Sequence, residues 1–224
     1  MGVLNRTVEP SADVEGEIAR YSLEEWWLSA LSERERARVE EVYRHPGLLG
    51  NERPLTTGSG HSAFESATDL LIAMAGPLGQ QAEDRKLASR ILAHAEERAT
   101  GAKDVLALHF TYEAIVGLQG RWRKEYADAA DAAFAACYKQ TRIAEQVVKA
   151  FRRRYPMRAL PSHGGYELMV TMLMEEANYT QATWVCEKAK YEGWSGDWVG
   201  CLQDIAKASD YPVRYISRAG ITQI

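Results

Sequence analysis

Apolar residues recur at three- and four-residue intervals along most of this chain, the period of amphipathic helices. Between Gln81 and Ala99 the pattern runs through Leu87, Ile91, Leu92 and Ala95, and Thr100-Gly101 is placed to stop the helix. Val105 to Leu118 repeats it, and Ala127 to about Tyr155 is the longest run, dense in alanine until Pro156 approaches. Further helices are predicted at roughly 163–176, 180–192 and 196–208. Three serines stand three residues before a glutamate, at Ser22–Glu25, Ser32–Glu35 and Ser62–Glu65. That spacing lets the two side chains satisfy free N–H groups at a helix start. It predicts a short helix with Trp26 and Trp27, a second to about Arg44 closed by His45-Pro46-Gly47, and a third ending near Gly76-Pro77. Residues 46–60 form the intervening loop. Short alternating strands between Gly-rich turns are absent, so the expected fold class is all-α.

The ends break this pattern. Residues 1–20 are small and acidic without a period and read as a flexible leader, 21–208 as a single helical domain, and 209–224 as an extended C-terminal tail. Within the tail, Tyr211 to Ser217 is β-prone, suited to lying along the helices or joining a partner's sheet edge.

Composition narrows the class. The 224 residues, 46% hydrophobic and 26% charged, suit a globular chain and exclude collagen-like, disulfide-stapled and strongly disordered ones. Apolar stretches such as Leu70 to Ala75 fall far short of the roughly twenty residues of a membrane span. The first residues also lack the apolar core of a signal peptide, so a cytoplasmic location without membrane contact is expected. Cys137, Cys186 and Cys201 are odd in number and lack metal-ligand spacing, which points to a reducing compartment and no metal or other cofactor. Cys137 and Cys186 stand among apolar residues at helical spacing and belong to the core.

Residues 163–196 carry the most specific pattern, two helices of similar length joined tightly at Ala177-Asn178, and they resemble a tetratricopeptide repeat, whose period is about 34 residues. Tyr166, Met169, Val170 and Leu173 fall on the repeat's first-helix positions, and Tyr179, Ala182, Cys186 and Ala189 on its second. Trp194 stands at the closing proline position and Ala177 at the turn glycine. The resemblance implies antiparallel helix pairs stacked as a short TPR-like solenoid, with Ser195 capping a final helix over 197–208 that covers the exposed end. A weaker upstream copy would use Leu108, Tyr112, Ala130, Phe134 and Cys137. More broadly, Trp26-Trp27, Leu108 to Phe110, Leu160 to Tyr166 and Gly193 to Trp198 are similar to an uncharacterised bacterial helical family that brings no known activity.

The repeat's register places Glu167, Thr171, Met174 and Glu175 along a partner-binding groove. Their acidity disfavours capture of a C-terminal carboxylate and suits a basic peptide. Charge is uneven: residues 121–160 hold ten Lys/Arg against four Asp/Glu, in a chain of net charge −4. Lys139, Arg142, Lys149 and Arg153 share one helix face as a basic stripe, with Phe134, Cys137, Tyr138, Thr141, Ala144, Val148, Phe151 and Tyr155 on the core face. Such a stripe can meet phosphate or an acidic partner. The five histidines form no local ligand pair; His163 stands at a helix start within reach of Glu167, and an exposed Trp194 or Trp198 would be a binding hot spot. No catalytic constellation emerges. The expectation is a non-enzymatic module that binds a protein or peptide, with an accessory nucleic-acid contact through the stripe as the alternative, and with oligomerisation compatible with either.

Overall fold

The computed structural model describes residues 14–43, 53–57 and 64–210. Among them every regular element is a helix, and the one β-type contact is an isolated bridge between Ser162 and Ser195. No described helix is long and apolar enough to cross a membrane. The chain divides into two compact units, before and after Leu118/Gln119.

The first unit holds α1 (Gly16–Arg20), α2 (Glu24–Ala30), α3 (Glu33–Val42), α4 (Ala67–Leu78), α5 (Arg85–Ala102) and most of α6 (Val105–Trp122). Residues 16–20, within the expected leader 1–20, form α1, which buries Ile18 and hydrogen-bonds to residues 54 and 55 through Glu17 N–H and Ile18 N–H. Gly16 is required there. Its φ is +66°, and a Cβ would lie 2.7 Å from the Pro54 carbonyl oxygen. The buried Glu40 carboxylate of α3 accepts from the Leu55 N–H and the Thr56 hydroxyl, tying this segment to α3.

The helix-start serines divide three ways. Ser32 and Glu35 form the expected reciprocal cap of α3. Ser22 does not cap α2; it closes α1 with φ +53°, and Leu23 precedes α2 without a side-chain bond. Ser62 lies outside the described residues, and Ser66 caps α4 by accepting from Asp69 N–H at 3.2 Å. Residues 44–52, where the expected His45-Pro46-Gly47 stop falls, are also outside them. α4 ends at Leu78, close to the expected end near Gly76-Pro77, and α5 runs one residue past Gly101 to a left-handed Lys103 with φ +55°. Asp104 then accepts from the Leu106 and Ala107 N–H groups at 3.0 Å, which starts α6 at once.

The second unit holds α7 (Ala127–Arg154), α8 (Gly164–Glu175), α9 (Tyr179–Glu192) and α10 (Trp198–Asp210), each packed on the next in chain order. Small residues on α7, Ala129, Ala133, Ala136 and Ala144, let α8 approach closely. At the closest point Gly165 N–H donates to the buried Gln140 side-chain oxygen at 2.8 Å. Residues 211–224, most of the expected tail, lie outside the described residues, and α10 extends through 209–210.

Two stability predictions follow from this packing. A Cβ at Gly165 would collide with the Gln140 oxygen and press on Cys137 Cα at 3.4 Å. Gly165→Ala is therefore expected to cost about 2–3 kcal/mol in urea unfolding, from overpacking and a damaged buried hydrogen bond. Gly101→Ala, with no atom within 4 Å of its Cβ, should gain up to about 1 kcal/mol in the same assay. Burial also holds the His109 pKa down to about 4 from the ordinary 6.5. The unfolded chain then binds the extra proton first on acidification. The resulting stability is complete above pH 6.5 and is lost as pH falls toward 4, by about 3 kcal/mol in all, and His109→Gln should flatten that slope.

Candidate partner-binding surface

The second unit's helix pair is assembled by side chains at its turns. His163 caps α8 by accepting the Tyr166 N–H at Nδ1, and its ring packs against Tyr166 at 4.3 Å and edge-on to Trp194 at 4.6 Å. Between the helices Ala177 takes a left-handed conformation, φ +57°, at the position where glycine was expected to ease the turn. Asn178 accepts from Gln181 N–H and starts α9. At the other end of α9 the Glu192 carboxylate accepts from the Tyr166 hydroxyl and from Trp194 Nε1–H, both at 2.9 Å, and pairs with Lys188. Burial and that carboxylate push the Tyr166 phenol well above its ordinary range.

The next turn is equally fixed. Ser195 does not cap the final helix. Its N–H donates to the Pro161 carbonyl at 3.1 Å and its hydroxyl to the Leu160 carbonyl. Asp197 caps α10 instead, accepting from Gly200 N–H at 2.9 Å. Trp194 and Trp198 are buried, and Trp198 Nε1–H donates to the Trp194 carbonyl, so neither is the exposed hot spot considered from the sequence.

The expected groove row occupies one stretch of α8, with Glu167, Thr171 and Glu175 exposed and Met174 half-buried. Its charges are not all available. Glu175 pairs with Arg123 at 2.8 Å and Lys124 at 2.9 Å, and the Lys124 hydrogen bond leads in holding its carboxyl below the usual range. The Thr171 hydroxyl donates to the Glu167 carbonyl within the helix. His163 is buried as a cap while Glu167 faces solvent, so the two are not gathered into one site.

The basic stripe is laid out as its spacing predicts, with Lys139, Arg142, Lys149 and Arg153 all exposed on α7. Lys149 pairs with Glu145 at 2.6 Å, and the Arg142 guanidinium lies over the Tyr138 ring at 5.7 Å. The expected core face needs correction: Phe134 and Tyr138 are 51% and 52% exposed. Alanines, Gln140 and Val147 fill the buried stripe in their place, which also removes Phe134 from the weaker upstream repeat copy.

Two residues that the sequence reading did not single out complete the surface. On α9, Trp184 is 62% and Tyr191 93% exposed. The end of this helix comes near the second half of α7: Arg152 Nη2 reaches the Glu192 carbonyl at 3.5 Å, and Lys188 is among the cations lowering the Glu145 carboxyl, after Lys149. Trp184 lies one turn before Lys188 on α9, and Tyr138 about two turns before Glu145 on α7. The two helices thus approach near residues 145–152 of α7 and 188–192 of α9, with Trp184 and Tyr191 exposed on α9 and Phe134 and Tyr138 exposed further back on α7. Among the described residues no group of three or more His, Cys, Asp or Glu is placed to hold a metal ion. No family model, curated protein or solved structure matches the chain.

Thiol chemistry checks the local packing. The buried Cys186 thiol donates to the Trp198 carbonyl at 3.4 Å, and burial first, then the neighbouring Cys201 thiol, pushes its pKa up to about 12. Native alkylation near neutral pH should modify half-buried Cys201 and spare Cys186 and Cys137 until the chain is unfolded. Rapid native labelling of Cys186, read by peptide mass, would contradict the packing of α9 on α10.

Proposed function

We propose that this chain is a non-catalytic protein-binding module whose C-terminal helix pair is TPR-like, and that it binds through the outer face of α7 and α9. The carrying observation is the exposure of Trp184 and Tyr191 on a helix whose opposite side, Ala182, Val185, Cys186 and Ala189, is buried. Large aromatics held on a packed helix keep a wide apolar area in water, and they lose little conformational entropy on binding because the backbone beneath them is already fixed. Glu175 on α8 is occupied by Arg123 and Lys124, which favours the outer face over the row of Glu167, Thr171, Met174 and Glu175.

The basic stripe supports a second reading, an accessory contact with nucleic acid. Its four cations are exposed and an aromatic ring stands beside Arg142, a combination that suits a phosphate backbone with stacked bases. For that reading Lys149→Glu with Arg153→Glu should weaken oligonucleotide binding and flatten its salt dependence.

The direct test of the protein-binding reading is capture of host proteins by the tagged full-length chain. Trp184→Ala with Tyr191→Ala should reduce recovery of a stoichiometric partner at least about tenfold, the loss of a single hot spot, while the melting transition stays intact. Glu167→Lys should leave recovery unchanged. The opposite result, loss with Glu167→Lys alone, would move the site to α8.

A further inference from the structure

Resting on that protein-binding reading, we infer that the occupant of the α7–α9 outer face is an acidic amphipathic helical segment of the partner. The charge of the face sets its sign. Between 139 and 153, α7 exposes Lys139, Arg142, Lys149, Arg152 and Arg153 against the single acid Glu145, and the Arg142 guanidinium lies over the Tyr138 ring. The Lys149–Glu145 pair cancels, and cations still outnumber acids along this stretch of α7. Carboxylates arriving there would gain charge-assisted hydrogen bonds from guanidinium groups in the solvent-exposed rim.

The aromatic spacing sets the shape. Phe134 and Tyr138 are four residues apart, one helical turn, and Trp184 and Tyr191 are seven apart, two turns or about 10 Å along the axis. A helix presenting apolar side chains at positions i, i+4 and i+7 matches both intervals, with acidic residues on its flanks reaching the cations. Phosphates would meet the same cations, so an oligonucleotide stands among the probes and its binding alone counts against this assignment.

The test uses the full chain and three probes. One is a labelled peptide of about five helical turns with leucines at those intervals and glutamates elsewhere. The second has lysines in place of the glutamates, and the third is an oligothymidylate of similar charge. In anisotropy titrations at low salt the acidic peptide should bind, and the basic peptide should bind at least about tenfold more weakly. Arg142→Glu with Lys149→Glu, and separately Trp184→Ala, should each weaken the acidic peptide about tenfold with unchanged circular dichroism. Equal binding of both peptides, or binding of the oligonucleotide alone, would overturn the acidic-helix assignment. If neither peptide binds while Trp184→Ala with Tyr191→Ala still loses the captured host protein, the occupant is wrong and the protein-binding reading stands. If that variant loses nothing, the reading itself falls.

Discussion

The part-buried Glu192 carboxylate is the interaction on which the second unit depends. It takes hydrogen bonds from Tyr166 on α8 and from Trp194 beyond the end of α9, and it pairs with Lys188 one turn earlier on its own helix. One side chain thus joins two helices and the turn leaving them. A largely desolvated carboxylate without these donors would be costly, so the three partners and the acid are required together. From Trp194 the network continues to the His163 ring, which caps α8, and from there to the start of the helix that packs on α7.

Rigidity at that corner has a consequence on the opposite surface. α9 cannot rotate to hide Trp184 and Tyr191 without breaking the bonds to Glu192 or unpacking Ala182, Cys186 and Ala189. α7 is similarly constrained by its alanine stripe and by Gln140, whose buried oxygen holds the Gly165 N–H. On the proposed protein-binding reading, aromatics on helices fixed in this way would need little rearrangement on association, which lowers the entropy lost.

Much of this architecture was legible in the sequence. The helix spans from Val105 onward, the cap at Ser32 and the core placement of Cys137 and Cys186 follow from periodicity and capping chemistry. The stops moved only slightly: α4 ends at Leu78 beside the expected Gly76-Pro77, and α5 ends at Ala102, one residue past Gly101, where Lys103 takes the left-handed turn. The aromatic assignments misled. Helical spacing puts Phe134 and Tyr138 on one face with Cys137 and Val148, yet the buried stripe is centred a little further round the helix, on Ala129, Ala133, Ala136, Gln140 and Ala144. The alanines at 129, 133 and 136, with Ala144 further on, already carried that signal. The choice between Trp184 and Trp194 was not readable, since Trp194 is buried by contacts with His163 and Glu192 that lie 31 and 2 residues away in sequence.

The site follows the same division. Spacing alone placed Lys139, Arg142, Lys149 and Arg153 on one exposed face, whereas the neutralisation of Glu175 depends on Arg123 and Lys124, more than 50 residues upstream. The most direct measurement is amide hydrogen exchange on the full chain, alone and in complex with the protein it captures from its host. The account predicts added protection on α7 around 134–142 and on α9 around 180–191, with 167–175 unchanged. Protection confined to 167–175 would contradict it and return the binding site to α8.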